Sequence, residues 1–196
     1  VEIPLGVAAR EVAGVEPAVG VEVRGAGAEV AGAGGGALEH ELADLAVLDS
    51  IQRRALWLAV RMVDHANHDR AHCEAKVGGH QASSASMVGI MTALWFGHLT
   101  GEDKVAVKPH ASPVYHAIKY LTGELDRSYL TRLREVGGLQ AYPGRTKDPD
   151  VADFSTGSVG LGVGAPLFAA AVRRYVEAHH GPVSERPARF IALAGD

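Results

Sequence analysis

Two short apolar runs set the limits on what this chain can fold into. Lys104-Val105-Ala106-Val107-Lys108 and Phe190-Ile191-Ala192-Leu193-Ala194 are too short for a globular helix, and each breaks on a turn. Pro109-His110 follows the first run and Gly195-Asp196 follows the second. The stretches around them carry apolar residues at helical spacing. Strands that alternate with helices specify an α/β fold, a parallel sheet flanked by helices. A chain rarely ends on the first turn after a core strand. The sequence therefore reads as the front part of a longer protein, with its α/β domain incomplete at the C-terminus.

The helical segments are legible one by one. Ile51, Ala55, Leu58, Ala59 and Met62 recur on one face, which predicts an amphipathic helix over 50–67 with Ser50 as its N-cap. Met87, Ile90, Met91 and Leu94 predict a second helix over 83–99, opened by the turn Gly78-Gly79-His80. A third is expected over 113–121, with Pro113 in the first turn. A fourth is expected from Asp126 to the pair Gly137-Gly138. Residues 139–156 have no periodicity and hold Pro143, Gly144 and Pro149; a loop of that length inside a domain is usually functional. A last helix over 160–180 places Leu167, Ala171, Val172 and Tyr175 inward.

Composition narrows the function classes. Of 196 residues, 47% are hydrophobic, enough for one sizeable core, and the net charge of −4 gives no broad footprint for nucleic acid. A single cysteine excludes an internal disulfide framework and fits a reducing, cytoplasmic setting. No apolar run reaches the ~18 residues of a membrane span. Residues 1–38 hold nine Gly, nine Ala and eight Val and no aromatic, so they read as a flexible low-complexity extension before a domain over 39–196.

Three constellations bear on chemistry. His65, His68, His72 and Cys73 fall within nine residues, but their spacing matches no structural zinc pattern, and a polar helix end is the simpler reading. The pair His179-His180 is read in the same way. Gly160-Leu161-Gly162-Val163-Gly164-Ala165 has the letters of a dinucleotide fingerprint without a strand before it; what remains is an anion site at a helix N-terminus. The third constellation is an ordered set of junctions: Gly79-His80, Pro109-His110, Gly157-Ser158-Val159-Gly160 and Gly195-Asp196. In open α/β sheets ligands sit at the carboxyl ends of the strands, so His80, His110 and Asp196 are expected in one crevice. Asp196 there suits Mg²⁺, which needs only one or two carboxylates beside phosphate oxygens.

The segments GGHQAS (78–83), VKPHASP (107–113), GGLQAYP (137–143), STGSVGLG (155–162) and ALAGD (192–196) carry a family resemblance. In this order the chain resembles the diphosphate-binding domain of thiamine-diphosphate enzymes of the transketolase superfamily. The likeness is closest to the decarboxylating component of bacterial homodimeric pyruvate dehydrogenases, and it covers about 48–196. It implies thiamine diphosphate and Mg²⁺ as cofactors and a 2-oxo acid, pyruvate, as substrate. It also implies a homodimer and a lipoyl-bearing acyltransferase as partner. His80 corresponds to the histidine near the thiazolium and substrate, and His110 to the one over the diphosphate and reacting centre. Gly157, Ser158, Val159 and Gly160 match the cofactor-contacting loop, with Val159 near the aminopyrimidine. Gly195 and Asp196 match the start of the metal-binding motif.

The resemblance leaves both histidines with two possible roles, as acid/base groups or as positional donors. Pro109 departs from the family pattern, because it removes a backbone donor just before His110. A transketolase acting on sugar phosphates, or a truncated module without catalysis, fits the same residues. By themselves, residues 1–196 are expected to be inactive.

Overall fold

The computed structural model describes the backbone of residues 2–3, 21–22, 36–70 and 76–195, and the side chains of 44–70 and 76–195. Apart from a two-residue antiparallel pair, β1 (Glu2–Ile3) with β2 (Val21–Glu22), and the first turn of a helix, residues 1–38 lie outside this set. So do His72, Cys73 and Asp196.

Helix α1 (Gly36–Asp64) and a π turn (His65–Asp69) form the longest element. Ser50 lies inside this helix rather than capping it. The buried side chains Ile51, Ala55, Leu58, Ala59, Met62 and Val63 follow the periodicity of the sequence. They pack on α4 (Ser112–Leu121), whose Val114, Tyr115, His116, Ala117, Ile118 and Leu121 are all buried. A helix buried all round is the centre of its domain, and α4 holds that place here. It ends where the Thr122 hydroxyl donates to the carbonyls of Ile118 and Lys119.

Two predicted helices are corrected. The expected helix over 83–99 is broken into α2 (Gln81–Ala85), α3 (Val88–Ala93) and a π turn (Leu94–His98). At the break the Ser86 hydroxyl donates to the Ser83 carbonyl and the Met87 N–H to Ser84, a tighter i→i+3 turn. The phase of the helix shifts: Val88 and Thr92 are buried with Met87 and Met91, while Ile90 is 54% exposed. The segment after Asp126 is a single 3₁₀ turn (Arg127–Thr131), not a helix. Asp126 does cap it, accepting from Ser128 N at 2.9 Å. Gly137-Gly138 closes a tight loop, in which Leu133 forms a parallel bridge with Leu139 and Leu139 N donates to Arg132 O at 3.0 Å. A Cβ at Gly138 would lie 2.2 Å from that carbonyl, so the close approach requires glycine.

The described α/β portion is a small two-stranded sheet. Strand β3 (Lys104–Ala106) pairs in parallel with β4 (Phe190–Ala192), in the register Lys104↔Phe190 and Ala106↔Ala192. Lys104 N donates to Arg189 O at 2.9 Å and Leu193 N to Ala106 O at 2.8 Å. On its other edge β3 is capped by a side chain, with Val105 N donating to Asp153 Oδ2 at 2.9 Å. Helix α5 (Leu161–His180) packs on both strands. Its facing is the reverse of the sequence expectation. Gly162, Pro166, Ala169 and Ala170 lie toward the sheet, while Leu167, Val172 and Tyr175 are exposed, as are Phe168 and Ala171. Pro166 is the buried residue of this helix, and its large apolar side chains Leu167, Phe168, Val172 and Tyr175 are left outward. Among the described residues no helix is long and apolar enough to cross a membrane.

Candidate functional site

The glycine turn before α2 is seated on the end of the α1 segment. Gly78 N donates to Asn67 Oδ1 at 2.6 Å, and a Cβ at Gly78 would lie 2.4 Å from Val63 O. Gly79, at φ +86°, lies against the Arg134 guanidinium. His80 then takes the N-cap position of α2 in extended conformation and is exposed. Helix α2 packs on the 3₁₀ turn Pro109–Ala111 that follows β3, so the elements bearing His80 and His110 are neighbours.

His110 is exposed on that turn, and its ring tilts against Tyr142, with centroids 5.4 Å apart and Nε2 3.5 Å from the phenol oxygen. A Cβ at Gly157 would meet the same tyrosine ring at 3.3 Å. Tyr142 thus joins the histidine turn to the 157–160 loop. The sequence quoted it within GGLQAYP but gave it no role. Ser158 and Val159 are exposed beside Gly160, whose φ of +80° turns the chain into α5. At the neighbouring strand end the Lys108 side chain lies along Gly195, where a Cβ would come within 2.5 Å of Nζ. The expected contribution of Asp196 lies outside the described residues.

The loop that carries Tyr142 is held from beneath. Asp148 accepts from Gln140 N at 2.7 Å and Gly144 N at 2.6 Å. The Ser112 hydroxyl donates to Ala141 O at 2.9 Å and the Tyr115 hydroxyl to Asp150 O at 3.3 Å. Burial pushes the Asp148 carboxyl above its ordinary range, against the pull of its two backbone donors. It likewise raises the Tyr115 phenol, with the Asp150 charge adding to the effect. His116 Nδ1 lies 2.7 Å from Asp150 Oδ2, both side chains fully buried. The sequence reading missed this group. Its only trace there is the acidic spacing Asp148, Asp150, Asp153 within an aperiodic loop.

The other histidines lie elsewhere. His68 Nδ1 is 2.9 Å from Asp64 Oδ1, and that hydrogen bond holds the Asp64 carboxyl below its usual range. His65 faces Asp69 at 3.6 Å. His179 turns back onto Tyr175 in the last turn of α5, its Nδ1 2.7 Å from the Tyr175 carbonyl.

Helices packed on a parallel strand pair, with histidine and glycine turns at the strand ends, define the chain as an α/β protein. Its sequence is that of a segment related to the pyruvate dehydrogenase E1 components. It is 33% identical over 144 residues to the E1 component of Pseudomonas aeruginosa, covering 68% of this chain and 16% of that protein. It is 33% identical over 131 residues to that of Mycobacterium tuberculosis, covering 61% and 14%. It is 29% identical over 150 residues to that of Escherichia coli, covering 71% and 16%. The matched segment is thus less than a fifth of these relatives. No protein-family model and no solved structure matches the chain.

The residues at the strand ends suit an anionic cofactor with a diphosphate. Lys108 supplies a cation against a glycine, where backbone can come close, and the α5 N-terminus supplies a positive dipole end, with the Leu161, Val163 and Gly164 N–H groups donating to the Ser158 and Gly160 carbonyls. His80 and His110 add two imidazoles open to solvent. Pro109 offers no backbone donor, so Lys108 is the group on that turn best placed to replace one.

Proposed function

We propose that this chain is the diphosphate-holding part of a thiamine-diphosphate-dependent E1 component. Such a protein oxidatively decarboxylates a 2-oxo acid, pyruvate, and passes the acyl group to a lipoyl carrier. The observation that carries the reading is the meeting of His110, Tyr142 and Gly157 at the carboxyl end of β3, with Lys108 laid along Gly195 at the end of β4. The named relatives support pyruvate over a sugar phosphate.

Thiamine diphosphate, when bound, supplies the carbanion that attacks the ketone and the electron sink that decarboxylation needs. The protein's own residues bind and orient. Lys108 Nζ and the N–H groups of the 157–160 turn take phosphate oxygens, a charge-assisted contact that also fixes position. Asp196, with Gly195 before it, would hold Mg²⁺, which would offset the charge of the diphosphate. Tyr142 keeps the His110 ring at one tilt, and His80 stands at the N-cap of the neighbouring helix. An imidazole nitrogen can donate or accept a proton, so each can give a proton to a carbonyl oxygen and take it back. The homodimer belongs to the same proposal.

The test is calorimetric titration with Mg²⁺ and thiamine diphosphate, paired with pyruvate-dependent reduction of an artificial electron acceptor by the full-length protein. Saturable binding is expected, weakened about tenfold or more by Lys108→Ala, the scale of one hydrogen bond to a charged group. Dye reduction should fall in His80→Ala and His110→Ala. Unchanged affinity in Lys108→Ala, or turnover of a sugar phosphate in place of pyruvate, would overturn the proposal.

A further inference from the structure

The proposed cofactor site does not use a cluster of three buried titratable side chains beneath the 139–156 loop. His116, Asp148 and Asp150 are 0%, 6% and 3% exposed, and one donor atom from each lies within 4.8 Å of the other two. His116 comes from the central helix α4, and the two carboxylates come from the 139–156 loop. Hydrogen bonds within the protein leave donor capacity over. His116 uses Nδ1 toward Asp150 Oδ2, while its Nε2 is buried without a partner. Asp150 Oδ1 is also buried without a partner. Two orphaned polar atoms on fully buried side chains of one cluster each carry an uncompensated desolvation penalty.

Charge sharpens the point. With a neutral imidazole the group holds two carboxylates and no cation. With an imidazolium it still carries one negative charge in excess. Buried charges are paired or bind metal. The donors are one imidazole nitrogen and carboxylate oxygens, a set that suits zinc and its neighbours better than the all-oxygen shell of Mg²⁺ or Ca²⁺. The surroundings are already fixed for ligation. Asp148 is held by two backbone N–H groups, and the Tyr115 hydroxyl anchors the Asp150 backbone.

We infer that His116, Asp148 and Asp150 form a structural site for one divalent transition-metal ion of the zinc type, clamping the 139–156 loop to α4. The site shares no residue with the one proposed for the Mg²⁺ of the cofactor. It sits beneath the loop that presents Tyr142 to His110.

The experiment uses the purified full-length protein, stripped with chelator and titrated with Co²⁺ and then Zn²⁺, without thiamine diphosphate. One equivalent should be retained through dialysis and counted by elemental mass spectrometry. The cobalt form should show visible d–d bands that one equivalent of Zn²⁺ abolishes. Asp150→Asn and His116→Gln should each weaken retention at least tenfold, while Asp69→Asn, outside the cluster, should leave it unchanged. If the cluster variants fail to fold, the ring-nitrogen resonances of His116 in the unmodified protein decide: a shift on adding Zn²⁺ supports the site. No retained metal, or an imidazolium signal that metal leaves unaltered, overturns it. Cofactor binding, measured separately, can fail without touching this result, and the reverse also holds.

Discussion

Replacing Asp103 by Asn should uncouple the second strand of the sheet from the first. The Asp103 side chain is buried at the start of β3 and gathers the residue before β4. Oδ1 accepts from Arg189 N at 2.8 Å, Oδ2 from Arg189 Nη2 at 2.6 Å, and the guanidinium Nε reaches both oxygens at 3.1 and 3.2 Å. Oδ2 also accepts from Thr100 N at 2.8 Å and from the Thr100 hydroxyl at 3.1 Å. Asparagine keeps one acceptor and turns an NH₂ toward donors that need one. Hydrogen bonds to charged groups contribute about 1.5–3 kcal/mol each, and the half-exposed Arg189 discounts its share, so the loss should be ~2–4 kcal/mol. For a chain of this size that lowers Tm by roughly 4–16 °C.

The pH profile gives a second readout. The Arg189 guanidinium holds the Asp103 carboxyl far below the usual carboxylate range. A depressed folded-state pKa contributes stability that is present above the unfolded value of about 4 and is lost as pH falls below it. Wild-type stability should drop across that acid window, and the Asn variant should lack this part of the slope. Urea unfolding at several pH values measures both effects, and a double-mutant cycle with Arg189→Gln isolates the pair. A loss below about 0.5 kcal/mol, the scatter of ordinary surface substitutions, would refute the reasoning. The consequence reaches function, because β4 leads to Gly195, against which Lys108 lies at the proposed cofactor site.

Three further outcomes are expected. Gly138→Ala should destabilise by ~1–3 kcal/mol, read from the urea midpoint, since its Cβ would press on the Arg132 carbonyl. Tyr142→Ala should weaken cofactor binding in calorimetry more than Tyr142→Phe, because the ring meets both His110 and Gly157 while the hydroxyl contact is long at 3.5 Å; equal effects would assign the role to the hydroxyl. Leu167→Asp and Val172→Asp should change the unfolding free energy of the 196-residue chain little, within about 0.5 kcal/mol, because these side chains are 69% and 61% exposed. A large loss would restore the inward facing that the sequence implied.

Elements whose signal is local were legible without coordinates. The α1 stripe from Ile51 to Met62 lies within a few turns of one helix, and burial followed its period. Pro113 in the first turn of α4 and the capping carboxylate of Asp126 act within two or three residues, and they stand where the sequence put them. The junction residues His80, His110 and 157–160 were readable because turns and helix starts have local chemistry. The rest depends on chain segments meeting. Ser83–Ser86 turned a continuous apolar period into a break, because side-chain hydroxyls compete for backbone carbonyls once the helix is seated. The facing of α5 depends on its packing on two strands, which buries Pro166 and leaves Leu167, Val172 and Tyr175 exposed, against the larger apolar stripe. His116 is separated from Asp148 and Asp150 by more than thirty residues of sequence, and only the packing of the 139–156 loop against α4 brings their polar atoms together in a buried place.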